Sequence, residues 1–227
     1  MTLIRLPLTE LPLAQDNVVL DREADHRIAN NLGLIVSLLR LRARDIGRQS
    51  GTMDRAEVSL LLADVAARVD TVARLHRMLS HAHGDTVVEL GGYLRELCAS
   101  LTSSTSSDAR VRFSHMVDNA CVLPPDQLLT LGLLVSELVT NSVKYAHPTG
   151  LPVQIEIQCR QQNTTGNLVV EIADDGIGLP ENFDPKADGG LGLRVVRSLA
   201  AQLGATIHFE SNALGTRVRL EMPISRE

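Results

Sequence analysis

Residues 168–178 read LVVEIADDGIG, and the change of pattern within them decides the fold. The segment LVVEIA is rich in apolar and β-branched residues, which predicts a strand. Asp174 follows where that strand ends, and its carboxylate can accept a hydrogen bond from an exocyclic amine. Gly176 and Gly178 have no side chains, so the backbone there can approach a planar base closely. Taken alone, however, the sequence Asp-Asp-Gly is more often an ordinary turn.

A second glycine-rich stretch, GGLGL at residues 189–193, precedes a predicted helix. The free N–H groups and the positive dipole end at a helix start favour phosphate, which makes Gly190 and Gly192 candidate contacts to a nucleotide. Glycines also occur in tight turns and helix entries that bind nothing, so this loop is a weak signal by itself.

A third polar segment, ELVTNSVK at residues 137–144, lies inside a predicted helix. Glu137, Asn141 and Lys144 are spaced i, i+4, i+7 and therefore share one helix face. An amide oxygen can bind Mg²⁺, and a lysine can neutralise phosphate. An ordinary solvated helix face with a polar i, i+4 pair would have the same spacing.

Around these segments, helical and strand patterns alternate from about residue 86 onward, after the polar break HAHGD at residues 81–85. Alternation of this kind predicts an α/β sandwich in which helices cover a mixed sheet. The predicted helices are 90–101, 125–145 and 193–203, the predicted strands are 111–113, 153–160, 168–173, 206–210 and 216–221, and a hairpin turn is predicted at 162–167.

The N-terminal part has a different, purely helical pattern. Apolar residues at helical spacing predict one helix from about residue 16 to 47, and a second that Thr52 or Asp54 can cap and that ends near Leu79. Two helices joined by a short turn form a hairpin. Its apolar face is too wide for one hairpin to bury, whereas two copies would form a four-helix bundle, so a homodimer is expected.

The composition argues against several classes of function. Twenty-two Lys plus Arg against 27 Asp plus Glu give a formal net charge of -5, so no overall positive field attracts nucleic acid. Cys98, Cys121 and Cys159 lack CxxC spacing, which predicts neither a disulfide framework nor a zinc site and fits the cytoplasm. No apolar run approaches the roughly 20 residues that a membrane helix needs, so no membrane insertion is expected.

Taken together and in this order, the three polar motifs resemble the N, G1 and G2 boxes of the GHKL ATPase superfamily, which includes histidine kinases, gyrase and Hsp90. By that resemblance Asp174 would bind the adenine amino group of ATP, Asn141 would hold Mg²⁺, and the loop 189–192 would cover the phosphates. Thr216 resembles the family threonine that supports the adenine through a water. Glu137 resembles the water-activating glutamate of the hydrolases and is a candidate for catalysis and for binding Mg²⁺.

The N-terminal stretch DHRIANNLGL, residues 25–34, is similar to the H-box helix of the HWE-related histidine kinases. This resemblance implies that His26 is the phosphoacceptor. The chemistry is consistent with that role, since a neutral, exposed imidazole is a competent nitrogen nucleophile. Asn30, one helical turn later, could position water for dephosphorylation of a partner. The chain has no Trp, so it resembles the sister group rather than the HWE type itself.

The resemblance implies three parts: a short N-terminal segment (1–20), a dimerisation and phosphoacceptor hairpin (21–83), and a GHKL (Bergerat) α/β sandwich that binds ATP (86–227). It implies a kinase that uses Mg-ATP to phosphorylate His26 and passes the phosphoryl group to an aspartate in the receiver domain of a response regulator. About 20 residues precede the H-box helix, too few for a sensor domain, so the input signal is expected to arrive through a partner, the short N-terminal segment or the cytosol directly.

Two other functions stay open at the level of the sequence. The chain could be a histidine phosphotransfer protein whose ATPase-like domain is only a docking platform. It could also be a GHKL ATPase or a serine kinase, because Glu137 stands four residues before Asn141 as in the hydrolases.

Overall fold

The computed structural model describes isolated positions between residues 33 and 47 and six longer segments: 54–80, 88–104, 111–117, 121–162, 164–185 and 187–224. The isolated positions, apart from the turn residue Gly47, are helical, in agreement with the first predicted helix. The predicted phosphoacceptor His26 and its neighbour Asn30 lie outside the described residues.

The described segments form a long helix followed by an α/β domain. In chain order the elements are α1 (Arg55–Ser80), β1 (Val88–Glu89), α2 (Leu90–Ser104), β2 (Val111–Val117), β3 (Val122–Leu123), α3 (Pro125–Tyr145), β4 (Val153–Gln161), β5 (Leu168–Asp174), α4 (Leu191–Gln202), β6 (Thr206–Asn212) and β7 (Gly215–Met222).

The main sheet has the strand order β2-β4-β5-β7-β6. Strands β2 and β4 are parallel, and the other neighbouring pairs are antiparallel, so the sheet is mixed as predicted. In the central strand, Ile172 lies opposite Ile157 of β4 and Val218 of β7. Because β5 has a neighbour on each side, the position of its last residue, Asp174, is firmly fixed.

Helices α2, α3 and α4 contact the sheet, and α3 also packs against α1 and α4. Leu128, Leu131 and Leu134 of α3 are fully buried at helical spacing, as expected for the apolar face of an amphipathic helix. Along β4, Ile155 and Ile157 are fully buried and point to the same face of the sheet. The core therefore lies between this face and α3, and α3 carries its polar face to the edge of the domain.

Two features of the sheet were not predicted. Strand β2 runs well beyond the predicted 111–113, because all of its residues pair with β4 in parallel register. A small antiparallel pair joins β1 to β3, with Val88 opposite Leu123. Strands of two residues are too short to show any periodicity in the sequence.

Helix α1 begins with a reciprocal cap. Asp54 accepts a hydrogen bond from the Glu57 N–H at 2.8 Å, and Glu57 accepts one from the Asp54 N–H at 2.9 Å. This capping box satisfies two N–H groups that a helix start otherwise leaves unpaired. Asp54 is therefore the capping residue, and the alternative, Thr52, lies outside the described residues.

The apolar stripe of α1 is divided between two environments. Val72, Leu75 and Leu79 are buried, and this half of the helix belongs to the same core as α3. Nearer the helix start, Val58 and Leu62 are 41% and 61% exposed. The first half of α1 thus presents apolar side chains to solvent in the single chain.

Cys98, Cys121 and Cys159 are all buried. Burial raises the pKa of the Cys98 thiol to about 12, which keeps it protonated and unreactive near neutral pH. Within the described segments, no helix combines the length and the apolar character needed to cross a bilayer.

Candidate nucleotide-binding site

A cavity of about 680 Å³ opens between α3, the end of β5 and the start of α4. Ligand pockets typically enclose roughly 300–1,000 Å³, so its size suits a nucleotide. The predicted contact residues that line it are Glu137, Asn141, Lys144, Asp174, Gly178, Gly190, Gly192 and Thr216. Residues from three separate sequence motifs therefore meet in one place.

Asp174, at the end of β5, is held by a network of hydrogen bonds. Its Oδ1 accepts from the backbone N–H of Gly176 at 3.1 Å and of Thr216 at 3.2 Å. Its Oδ2 accepts from the Ser142 hydroxyl at 2.7 Å. An ionised carboxylate has about four lone-pair directions, so Oδ2 can still accept a bond from an amine in the cavity.

Gly176 does not line the cavity, although it was predicted as a contact. A Cβ at this position would come within 2.5 Å of the Ala146 Cα and Cβ atoms. The Ile177 N–H also donates to the Ala146 carbonyl at 3.0 Å. Gly176 therefore allows the loop after β5 to pack against the end of α3, and it affects the cavity only through the position of this loop.

Gly178 does line the cavity, and it has a φ of +78°. Side chains of L-residues rarely adopt this left-handed conformation. A Cβ here would also collide with the Asn212 carbonyl oxygen and the Ser211 hydroxyl. Glycine is thus required both by the backbone conformation and by the close approach of the end of β6.

The second carboxylate of the Asp-Asp-Gly motif has a different environment. Asp175 Oδ1 accepts from the Gln154 N–H at 2.9 Å and lies 3.1 Å from His147 Nε2. Partial burial acts to raise the pKa of Asp175, but these hydrogen bonds outweigh it and hold that pKa below its usual value. Asp175 is absent from the cavity lining and instead ties the β5 end to β4.

Ser142 is a site residue that sequence reasoning missed, because a serine one position after Asn141 has no motif of its own. Replacing Ser142 with alanine removes one of the bonds that orient Asp174. We expect ATP binding about three- to tenfold weaker, measured by calorimetry, which corresponds to the roughly 1 kcal/mol that a typical hydrogen bond contributes.

Ser136→Ala is the matched control for this substitution. Ser136 is also a buried serine of α3, but its hydroxyl donates to the Gly132 carbonyl at 2.7 Å and does not reach the cavity. Equal losses of ATP affinity in both variants would mean that helix stability, and not the orientation of Asp174, explains the effect.

At the other end of the cavity, Glu137, Asn141 and the start of α4 converge. A Cβ on Gly192 would lie 3.2 Å from both Asn141 Oδ1 and Glu137 Oε2. Helix α4 begins at Leu191, and its N-cap is Gly190, which has no side chain that could cap the first turn. Free N–H groups in the first turn of a helix can bind phosphate, and we name this end of the cavity, with Glu137, Asn141 and Gly192, the phosphate end.

The oxygen donors at the phosphate end fit Mg²⁺, which usually takes one or two protein oxygens together with phosphate oxygens and water. Asn141 is the better suited of the two predicted ligands. Both oxygens of Glu137 already accept hydrogen bonds from Arg68, from Nε at 2.7 Å and from Nη2 at 3.1 Å. Arg68 lies on α1 and was not predicted as a site residue.

The loop between the two glycine motifs is short, and several of its described residues are held by hydrogen bonds. The Arg197 side chain on α4 donates to the carbonyls of Pro185 and Asp188 at 2.7 and 2.9 Å. The Asp188 carboxylate accepts from the Asp184 N–H at 2.9 Å. Phe183 of the same loop lines the cavity. The loop thus forms one apolar wall of the cavity and is anchored to α4.

Two family models match the chain. Residues 126–226 match the family described as histidine kinase-, DNA gyrase B- and HSP90-like ATPase. Residues 23–105 match the family described as histidine kinase. The first match contains every residue that lines the cavity except Arg68, and the second contains α1 and the position of His26.

Curated relatives agree with these matches. The chain is 29% identical over 213 residues to blue-light-activated histidine kinase 2 of Erythrobacter litoralis, covering 90% of this chain and 57% of that protein. It is 30% identical over 207 residues to the sensor histidine kinase PdtaS of Mycobacterium tuberculosis, covering 90% of this chain and 39% of that protein. The chain therefore spans only part of the length of the relatives it matches.

Among solved structures, the chain is similar to the histidine kinase domain of an Erythrobacter litoralis blue-light activated histidine kinase. The TM-score is 0.65 at 25% identity, covering 89% of this chain and 93% of that chain. The full kinase from the same source gives a TM-score of 0.71 at 24% identity, covering 97% of this chain and 64% of that chain, which shows the shared fold. The chain therefore combines a region of the histidine kinase family, residues 23–105, with a domain of the histidine kinase-, DNA gyrase B- and HSP90-like ATPase family, residues 126–226.

Proposed function

We propose that the chain is the catalytic core of a two-component system. It binds Mg-ATP in the cavity, transfers the γ-phosphoryl group to His26, and passes that group to an aspartate in the receiver domain of a response regulator. The observation that supports this most strongly is the convergence of Asp174, Asn141 and Gly192 on one cavity. The motifs resemble those of the sister group of the HWE kinases, and three cysteines without CxxC spacing fit a cytoplasmic site of action.

In this proposal the adenine amino group donates to Asp174, and the phosphates extend toward Asn141 and the start of α4. A nitrogen of the His26 imidazole attacks the γ-phosphorus, so that an N–P bond forms. The bond from the γ-phosphorus to the bridging oxygen breaks, ADP leaves with that electron pair, and the imidazole releases its N–H proton to solvent. A bound Mg²⁺ would neutralise part of the phosphate charge. We propose Lys144, which also lines the cavity, as a further positive charge near the phosphates.

The structure supports a kinase better than an ATPase. Hydrolysis by a GHKL ATPase needs a glutamate that activates water, and Glu137 is the candidate for this role. Arg68 donates to both oxygens of that carboxylate, so a water that is to be activated would have to compete with two charge-assisted hydrogen bonds. We therefore propose Glu137 chiefly as a residue that shapes the phosphate end.

Incubation of the purified chain with γ-labelled ATP and Mg²⁺ tests the proposal. Label on the protein that is stable in base and lost in acid is the expected result, because a phosphoramidate bond hydrolyses in acid. Acid-stable label would indicate a serine kinase, and release of labelled phosphate alone would indicate an ATPase. Labelling only after addition of a donor kinase would indicate a phosphotransfer protein.

We also propose that the chain forms a homodimer through the hairpin. The exposed Val58 and Leu62 of α1 support this, because a second hairpin could cover them. Light scattering should give twice the chain mass at micromolar concentration, and Leu62→Glu should shift the protein toward the monomer. Leu214→Glu is the control: Leu214 is 84% exposed in the β6–β7 turn, far along the chain from the hairpin, and this variant should stay dimeric. A monomeric wild type would contradict the dimer.

A further inference from the structure

One ion pair connects the long helix α1 to the nucleotide site. Arg68 Nε lies 2.7 Å from Glu137 Oε1, and Arg68 Nη2 lies 3.1 Å from Glu137 Oε2. Each side chain is only 12% exposed. Two parallel, charge-assisted bonds hold the plane of the carboxylate as well as its position. The two residues are 69 positions apart in the chain, so the pair joins elements that local sequence does not bring together.

This pair lies at the phosphate end of the cavity. Arg68 and Glu137 both line the cavity beside Asn141. Glu137 Oε2 also lies 3.2 Å from the place where a Cβ on Gly192 would be, at the start of α4. An unpaired glutamate here would repel the phosphates of a nucleotide, because both are anionic and the surroundings are partly desolvated. A positive partner for Glu137 is therefore an electrostatic requirement for binding a polyphosphate.

We infer that Arg68 is a positioning residue of the nucleotide site, contributed by the long helix α1, which holds the Glu137 carboxylate and offsets its charge so that the phosphates of the nucleotide can bind. Binding of the phosphates then depends on contact between α1 and α3, which links the helical part of the chain to the occupancy of the ATP site. The inference rests on the proposed nucleotide-binding function and adds to it a residue from outside the ATP-binding domain.

The number of phosphates on the ligand separates this role from a purely structural one. If Arg68 only stabilised the fold, Arg68→Ala would weaken the binding of adenosine, of ADP and of an ATP analogue to the same extent. If it offsets charge at the phosphate end, the loss grows with the charge at that end. We expect Arg68→Ala to bind the non-hydrolysable ATP analogue at least about tenfold more weakly than wild type does. Its affinity for ADP should fall by less, and its affinity for adenosine should stay within about twofold of wild type. Calorimetric titration in the presence of Mg²⁺ measures all three.

Two further variants sharpen the comparison. Arg68→Lys keeps the charge but not the two-pronged geometry, so it should recover part of the affinity for the ATP analogue. Arg55→Ala removes an exposed arginine from the first turn of the same helix and should bind all three ligands as wild type does. A loss in Arg55→Ala equal to that in Arg68→Ala would overturn the inference.

A double-mutant cycle with Glu137→Gln tests the electrostatic reason directly. The glutamine has no charge to offset, so Arg68→Ala should change the affinity for the ATP analogue by less than about threefold in that background. The cycle also keeps the test valid if Arg68→Ala alone is unstable, since the double variant leaves no carboxylate unpaired. Provided that wild type binds ATP, three results would overturn the inference. The first is that Arg68→Ala costs as much affinity for the ATP analogue in the Glu137→Gln background as it does alone. The others are that Arg68→Ala alone binds the analogue as tightly as wild type or more tightly, or that it loses as much affinity for adenosine as for the analogue. Wild-type protein that binds no nucleotide would overturn the proposed function as well.

Discussion

Replacing Asp174 with asparagine is expected to weaken ATP binding by about a hundredfold or more. Asparagine has nearly the same shape, but one of its oxygens is replaced by NH₂. The N–H groups of Gly176 and Thr216 both point at Oδ1, so the amide oxygen will take that position. The NH₂ group then faces the adenine amino group, and two donors oppose each other. Calorimetric titration with a non-hydrolysable ATP analogue measures the loss.

The same variant should also change the preference between nucleobases. Hypoxanthine carries an acceptor oxygen where adenine carries the amino group, so the asparagine NH₂ can donate to it. We expect Asp174→Asn to bind inosine triphosphate at least as well as wild type does. If Asp174→Asn lost affinity for both nucleotides to the same extent, the cause would be a collapsed cavity and not a change in base recognition.

Asp175→Asn is the matched control, because it is the same substitution at the next position. Asp175 is paired with Gln154 and His147 and does not line the cavity. Its ATP affinity should stay within about twofold of wild type. The assignment of Asp174 fails if Asp174→Asn binds ATP nearly as well as wild type, or if Asp175→Asn loses as much affinity.

Replacing His26 with glutamine is expected to remove essentially all acid-labile label from the protein while leaving ATP affinity within about twofold of wild type. Glutamine is polar but has no nucleophilic nitrogen lone pair, since its amide nitrogen is conjugated with the carbonyl. The split between labelling and binding is the informative result, because a folding defect would reduce both. Labelling with γ-labelled ATP and calorimetry on the same preparation measure the two quantities.

His208→Gln serves as the control for this substitution. His208 is exposed on β6 and does not line the cavity, so the variant should be labelled as strongly as wild type. If His26→Gln still carried acid-labile label, the phosphoacceptor would be another histidine. Loss of label in both variants would show that the assay responds to something other than the acceptor.

Much of the α/β domain follows from local pattern. The boundaries of α3 were predicted from the Pro-Pro-Asp start and the polar motif at its end, and the structure agrees. β5 and the turn after it were predicted because the segment LVVEIA is rich in apolar and β-branched residues and the glycines follow its end. Seven of the eight predicted positions that line the cavity lie in such motifs, on α3, at the β5 end and at the α4 start. Motif order was informative because each motif occupies one edge of the same cavity.

The contributions of Ser142 and Arg68 could not be predicted from the sequence. Ser142 matters only because the end of β5 places Asp174 against its hydroxyl, and that distance depends on how α3 packs on the sheet. Arg68 belongs to a helix whose spacing indicates a bundle, and nothing local distinguishes it from the other arginines of α1. Contacts between distant elements depend on packing, which hydrophobic periodicity does not specify.

The most direct test of the central proposal is to locate the phosphoryl group on the wild-type protein. The chain would be incubated with Mg-ATP, kept at neutral or alkaline pH, digested, and mapped by mass spectrometry with fragmentation that preserves N–P bonds. We predict one modified peptide, with the phosphoryl group on the imidazole of His26. A phosphoryl group on a serine or threonine, or an unmodified His26 in protein that demonstrably binds ATP, would contradict the proposal.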